Sequence, residues 1–243
     1  MWNIGIIGSG TMGKIIAERM KLSPSVATVR STRRGEDNLD LTKRSDIIFL
    51  CTKPAQIEPI ATQIAPFATD RTVVCIAAGV SLQKLHEWLG ETTAIVRAMP
   101  NTPSRIGEGI TLLSARPEID ETRLAVVHTL FESLGIVVPI PETSMVAGTA
   151  LSGCGPAYVY EIIEALCDGA VKLGLSRTLA RVLATQTLIG AAKTVAGSTQ
   201  HPSALRDEVA TPGGCTIDAL LSLGESGVAA GLARAVIAAG TIT

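Results

Sequence analysis

The stretch Trp2-Asn3-Ile4-Gly5-Ile6-Ile7-Gly8-Ser9-Gly10-Thr11-Met12-Gly13 decides how this chain is read. Trp2–Ile7 is an apolar run of strand length, and the pattern Gly-x-Gly-x-x-Gly follows it directly at Gly8, Gly10 and Gly13. A helix-forming segment then begins at Thr11. In that context each glycine has a physical task. Gly8 permits the tight turn, Gly10 lets backbone approach a pyrophosphate, and Gly13 lets helix pack closely on strand. The free N–H groups of the first helical turn face the phosphates. The reading is a dinucleotide-binding turn; outside this strand-turn-helix context the same glycines would mark only an ordinary connection.

Working outward, strand-like runs recur at Trp2–Ile7, Val26–Val29, Ile47–Cys51, Thr72–Ala77, Ala94–Ala98, Gly109–Leu113 and Ile136–Ile140. Their apolarity is continuous rather than alternating, as expected for strands covered on both faces. Helical patterns fit between them at Thr11–Leu22, Gln56–Ala65, Leu82–Leu89 and Ile119–Leu134. Ser31–Asp46 is short and polar, so a loop or a single helical turn is expected there. This succession predicts an α/β fold of the Rossmann type. Its sheet is doubly wound and mostly parallel, and its ligand crevice lies beyond the carboxyl ends of the strands. After Pro139 and Pro141 the pattern turns helical throughout, with helices expected at Thr143–Leu151, Ala157–Leu173, Arg177–Ala196, Ser203–Val209, Thr216–Leu223 and Val228–Ala239. Residues 1–141 and 142–243 are therefore read as two domains, the second all-α. Helices apolar on several faces have more to bury than one small domain hides, which predicts a homodimer built through this half.

Bulk composition narrows the function. The 243 residues are 47% hydrophobic and only 3% aromatic, with a net charge of −1, so there is no electrostatic footprint for nucleic acid. No run approaches the ~20 apolar residues of a membrane span, and no basic segment precedes an apolar signal core. Five cysteines without a Cys-x-x-Cys pair predict reduced thiols and a cytoplasmic location. Three scattered histidines, His86, His128 and His201, predict no metal site.

The tip of the second strand reads Arg30-Ser31-Thr32-Arg33-Arg34, where NAD-specific folds carry an acid. Guanidinium forks and hydroxyls suit a 2′-phosphate, so NADPH is preferred, with NADH possible because Glu36 and Asp37 are near. Cys51-Thr52-Lys53-Pro54 and Ile76-Ala77-Ala78-Gly79 end the third and fourth strands, where small residues let ribose and nicotinamide approach. Asn101, in the loop Met99-Pro100-Asn101-Thr102-Pro103, is placed to frame the nicotinamide or substrate. Two glycine-rich loops begin helices in the second half, Ser152–Ala157 and Thr211–Thr216, and exposed N–H groups there suit a carboxylate.

Taken in order, these segments resemble the Δ1-pyrroline-5-carboxylate reductase family. The most specific are Met99–Pro103, Leu151-Ser152-Gly153-Cys154-Gly155-Pro156-Ala157-Tyr158, and His201–Leu220 with its Pro-Gly-Gly-x-Thr core. The resemblance implies NAD(P)H-dependent reduction of a cyclic imine to L-proline, the last step of proline biosynthesis. It also implies a Rossmann domain followed by a helical dimerisation domain, with larger assemblies of dimers in some members. It carries cofactor contacts to Ile7, Gly8, Ser9, Gly10, Thr11, Met12, Ser31, Arg33, Asn38, Cys51, Thr52, Lys53, Pro54, Ile76, Ala77 and Ala78. Substrate contacts carry to Glu142, Cys215 and Thr216, with the amides of Gly213 and Gly214 facing the carboxylate. By its own chemistry Thr216 orients the substrate, and either it relays a proton or water supplies one. Cys154, Val146 and Glu208 depart from the family's usual serine, acid and asparagine. Two other readings stay open on residues alone: a reductase of a six-membered or sulfur-containing cyclic imine, and a non-catalytic dinucleotide-binding protein.

Overall fold

The computed structural model describes residues 1–33 and 36–241. By compactness the chain forms two units, Met1–Cys154 together with the residues from Ala239, and Gly155–Ala238.

The first unit is built on seven strands: β1 (Trp2–Ile7), β2 (Val26–Thr32), β3 (Ile47–Leu50), β4 (Thr72–Cys75), β5 (Ala94–Pro100), β6 (Gly109–Ala115) and β7 (Gly135–Pro139). Their order is β2-β1-β3-β4-β5-β6-β7, parallel except where β6 runs against β5. All seven expected strands are present, β1 with the bounds expected and the others with ends moved by one to three residues. Their helices are α1 (Thr11–Met20), α2 (Asn38–Lys43), α3 (Ile57–Ile64), α4 (Leu82–Leu89) and α5 (Glu121–Glu132). α2 has six residues where one turn or a loop was expected. Asp37 explains it, since its carboxylate accepts from Leu39 N at 2.8 Å and Asp40 N at 3.0 Å and so supplies a helix start.

Alternation along the buried strands divides the core in two. Ile7, Ile48, Leu50, Val73 and Ile95 pack with Leu41, Ile57, Ile64, Leu82 and Leu85, which places α2, α3 and α4 on one face. Ile4, Ile6, Phe49, Val74 and Val96 pack with Ile16, Met20, Val127, Leu130 and Phe131, which places α1 and α5 on the other. Strands covered on both faces account for the continuous apolar runs.

Beyond β7 the single expected helix at Thr143–Leu151 is broken into a 3₁₀ turn at Glu142–Ser144, α6 (Met145–Gly148) and a wide turn at Thr149–Gly153. In that wide turn Cys154 N donates to Thr149 O, five residues back, at 3.1 Å. Gly148 lies against Leu112, so close that a Cβ would stand 2.5 Å from its Cδ1, and Ser152 O accepts from Asn101 Nδ2 at 3.0 Å. These contacts keep residues 142–154 with the sheet, so the compact unit extends past the expected boundary at 141.

The second unit holds α7 (Gly155–Lys172), α8 (Arg177–Gly197), α9 (Pro202–Val209), α10 (Cys215–Glu225) and α11 (Val228–Gly240), the last ending just beyond it. α7 and α8 pack together, and Arg177 pairs with Asp168 at 2.6 Å. α9, α10 and α11 bury no residue, and Val182, Leu183, Leu221, Leu223 and Ile237 stay exposed. Among the described residues no single helix is long and apolar enough to cross a membrane; α10 and α11 pass that test only as a pair bent by 47°.

His86 of α4 is a polar exception in the core, buried with no hydrogen-bond partner at either ring nitrogen among the described residues. Burial, and then the charge of Arg116, hold its pKa below the ordinary 6.5, while Glu91, Glu118 and the Gly90 backbone pull the other way. The folded chain therefore resists a proton that the unfolded chain accepts. The contribution to stability is full above about pH 6.5 and is lost as pH falls through that value toward the folded pKa. Thermal midpoints measured from pH 7.5 to pH 5 should fall more steeply in the parent than in His86→Leu; equal slopes would remove His86 as a cause.

Candidate functional site

The glycine turn is as tight as its sequence demands. Gly8 has φ +109°, and a Cβ there would stand 2.8 Å from the carbonyl carbon and oxygen of Cys51, so the ends of β1 and β3 abut. A Cβ on Gly13 would run into the Gly8 carbonyl oxygen, whereas above Gly10 there is open space. α1 starts at Gly10 with no side-chain cap and no acid in its first turn, leaving the N–H groups of that turn for a ligand.

A cavity of about 460 Å³ opens on this turn, at the carboxyl ends of the first three strands. Ile7, Gly8, Ser9 and Gly10 form one wall; Thr32, Arg33 and Asn38 a second; Cys51, Thr52 and Lys53 a third; Gln56, Pro59 and Ile60 the rest. Nine of the residues expected to hold a cofactor thus meet in one place. Thr32 was expected only as one of the hydroxyls at the tip of the second strand, and Gln56, Pro59 and Ile60 were not expected at all. Thr32 takes the place of the exposed Ser31 because β2 runs on to residue 32, where Gly8 N donates to Thr32 O at 3.1 Å. Thr32 Oγ1 donates to Asn38 Oδ1 at 2.8 Å, and Arg33 N donates to Glu36 Oε2 at 2.7 Å. Arg34, part of the expected basic tip, lies outside the described residues.

The lining suits a dinucleotide. Thr52 Oγ1 is buried with no partner among the described residues, the kind of polar atom that a ligand hydroxyl satisfies. The Cys51 thiol is driven strongly upward by burial, with Cys75 adding to it, so it stays protonated and serves as wall rather than nucleophile. Cys75, one strand over, is pushed up to about 11, mainly by burial. Among the described residues no group of histidine, cysteine or carboxylate side chains is arranged to hold a metal ion.

Other expected contacts lie elsewhere. Thr11 lines a separate cavity of about 550 Å³ with Ser9, Gly10, Lys14, Glu18 and Arg105. Met12 is half-buried, Pro54 is exposed at the head of a 3₁₀ turn, and Ile76, Ala77 and Ala78 follow β4 in the loop to α4. In the second unit, Gly213 has φ +67° and Gly214 starts α10 without a side-chain cap. Gly214 N donates to Thr211 O at 3.0 Å, and a Cβ at 214 would stand 2.5 Å from Thr211 Oγ1. Cys215 is exposed and Thr216 half-buried in the first turn of α10.

Comparison with known proteins agrees with this layout. Residues 142–242 match the pyrroline-5-carboxylate reductase dimerisation domain, and residues 3–79 match the coenzyme F420-dependent NADP oxidoreductase domain. A pyrroline-5-carboxylate reductase of Synechocystis sp. is 35% identical, over 97% of this chain and 95% of its own. That of Pisum sativum is 36% identical, over 98% and 93%. The chain belongs to the pyrroline-5-carboxylate reductase family. A crystal structure of the Plasmodium falciparum pyrroline carboxylate reductase with NADP bound superposes with a TM-score of 0.93 at 33% identity, covering 99% of this chain and 96% of that one.

Against the family's site, two expected ligand residues have prior engagements. Asn101 is buried, its Nδ2 donating to Ser152 O and its Oδ1 accepting from Ile110 N at 3.0 Å. It braces the loop after β5, and both ends of its amide are occupied. Glu142 Oε1 accepts from Leu82 N at 2.6 Å and from Arg97 Nη1 at 3.1 Å. Its spacing in sequence from Leu82 and Arg97 gave no sign of either bond.

Proposed function

We propose that this chain reduces Δ1-pyrroline-5-carboxylate to L-proline with NAD(P)H, as a homodimer working in the cytoplasm. The observation that carries the reading is the cavity on the Gly8–Gly13 turn, in a chain that is similar along nearly its whole length to a reductase with NADP bound. The matched dimerisation domain and the uncovered apolar helices of the second unit support the dimer. The five free cysteines fit a reducing compartment.

The bound nicotinamide supplies a hydride for the imine carbon. The chain's own residues bind, orient and exclude water. The N–H groups opening α1 hold the pyrophosphate. Thr32, Arg33 and Asn38 take the adenosine ribose and its 2′-phosphate, Pro59 and Ile60 give the adenine an apolar surface, and Thr52 and Lys53 take ribose hydroxyls. The small side chains of Ala77 and Ala78 leave room for the nicotinamide beside Ile76. The N–H groups of the Gly213–Thr216 loop take the substrate carboxylate, and the Thr216 hydroxyl orients the ring nitrogen. A threonine hydroxyl is a poor acid, so the proton on nitrogen comes with the protonated imine or from water. Positioning of the reactants supplies the main rate advantage.

Initial rates with NADPH and NADH against five- and six-membered cyclic imine acids test this. Turnover is expected to be fastest with pyrroline-5-carboxylate and NADPH. Preference for the six-membered ring would replace the substrate assignment, and dinucleotide binding without turnover would exclude catalysis. Arg33→Ala should weaken NADPH by roughly tenfold, the scale of one charge-assisted contact, and leave NADH within twofold. Equal losses with both would show that Arg33 does not read the 2′-phosphate.

A further inference from the structure

Two cavities meet at the glycine turn. The first, on the carboxyl ends of β1, β2 and β3, holds Arg33 and Asn38; the second, of about 550 Å³, shares Ser9 and Gly10 with it and adds Lys14, Glu18 and Arg105. Lys14 belongs to α1, and Arg105 to the 3₁₀ turn Thr102–Ile106 that follows β5. Both are exposed, and among the described residues neither makes an ion pair, although Glu18 stands one helical turn from Lys14. The backbone that carries Arg105 is fastened on two sides. Ser104 is fully buried, its N donates to Asn101 O at 3.2 Å, and a Cβ on Gly109 of β6 would run into its hydroxyl. Gly107 closes the turn at φ +79°, and a Cβ there would stand 2.7 Å from Arg19 Nη2 in the last turn of α1. Arg19 is itself tied down, its Nε donating to Ser133 O at 2.7 Å.

On the reading of the glycine turn as the seat of the cofactor's pyrophosphate, we infer that Arg105, assisted by Lys14, is a further cofactor ligand: it pairs with the phosphate nearer the nicotinamide. The adenosine half of the dinucleotide fills the first cavity, where Arg33 stands. Its two phosphates then lie over Ser9 and Gly10, which both cavities share, and nothing within 4 Å of a Cβ on Gly10 obstructs them. Arg105 and Lys14 border only the second cavity, so they meet the second phosphate and not the adenosine. The N–H groups opening α1 supply only about half a positive charge against the two negative charges of a pyrophosphate. Two cations against the one carboxylate of Glu18 supply the balance. A guanidinium whose backbone is already fixed also loses less to ordering when the ligand arrives.

The test titrates full chains calorimetrically with two probes, NADP⁺ and adenosine 2′,5′-bisphosphate. The second keeps the adenosine, its 2′-phosphate and the first phosphate, and lacks the second phosphate and the nicotinamide. Arg105→Gln should bind NADP⁺ about tenfold more weakly and Lys14→Gln about threefold more weakly, the scale of one charge-assisted contact and of a more loosely held one. Arg105→Gln should bind the bisphosphate within about twofold of the parent. Lys21→Gln, which removes the same charge at the other end of α1, should leave both affinities within about twofold. Raising the salt from about 0.05 M to about 0.5 M should shrink the NADP⁺ loss in Arg105→Gln, because the lost contact is electrostatic. A misplaced turn would weaken binding at both salt concentrations alike. Equal losses with the two probes, or NADP⁺ affinity like the parent's in Arg105→Gln, would overturn the inference; in the latter case a raised KM for the imine acid would move Arg105 to the substrate. A parent that binds neither probe would overturn the dinucleotide reading, and the inference with it.

Discussion

Gly13→Ala should cost at least about a hundredfold in NADP⁺ affinity, close to 3 kcal/mol. Two effects oppose each other at this position. Alanine is the better helix former by about 1 kcal/mol, which alone would stabilise α1. Its Cβ, however, would overlap the Gly8 carbonyl oxygen and stand 3.3 Å from Cys51 Cβ. A backbone oxygen in a tight turn cannot swing aside as a side chain does, and overpacking of this kind costs roughly 1–3 kcal/mol. Packing wins. The turn opens, and the N–H groups that face the phosphates are carried away with α1. Gly10→Ala separates fold from ligand, because nothing lies within 4 Å of a Cβ there. That variant should unfold at the parent's urea midpoint and still lose dinucleotide affinity, since only the ligand meets the added methyl. Parent-like NADP⁺ binding by Gly13→Ala, measured by titration, would contradict the account of the turn.

Phe49→Ala is expected to destabilise the first unit by about 4 kcal/mol, within the range for removing a buried aromatic ring. Phe49 is fully buried in β3, and its ring meets Phe131 of α5 edge to face with centroids 5.7 Å apart and planes at 70°. Area and geometry both count, since such a pair is worth about 0.5–1.5 kcal/mol beyond burial alone. The loss is a large share of the 5–15 kcal/mol that typically separates folded from unfolded chains. It has a functional side, because β3 leads directly into Cys51, Thr52 and Lys53 of the cavity wall. Urea unfolding gives the measurement. A change below about 1 kcal/mol would show that the core refills the space.

The sheet was legible because its strands are continuous apolar runs separated by helical patterns, the first of them opened by the glycine turn before Thr11. The cavity on the glycine turn was legible where it is backbone: Ile7–Gly10 and Cys51–Lys53 follow strands whose ends the apolar runs mark. It was less legible where side chains arrive from a helix flank. Gln56, Pro59 and Ile60 enter the cavity because of how α3 lies on the sheet, and no local pattern announces that. Thr32 was read only as one hydroxyl of the strand tip, with Ser31 preferred as the contact, for a different reason. The tip of β2 is polar, so hydrophobicity ends at Val29 while the pairing with β1 continues to residue 32. The break after Pro141 was read from a change of composition, yet compactness follows contacts, and Glu142, Gly148 and Ser152 hold on to the sheet. Glu142 shows the limit most clearly. A family's substrate contact and a cap for a helix sixty residues away have the same sequence signature.

β2 stands at the margin of the sheet, where Thr32 is tied to Asn38 and Arg33 to Glu36 by hydrogen bonds. Exchanges at the exposed Arg30, Ser31 and Arg33 disturb no interior layer. On the proposed reading, a lineage can drift between phosphorylated and plain electron carriers by altering half a dozen outlying positions, and inherit the rest of its chemistry untouched.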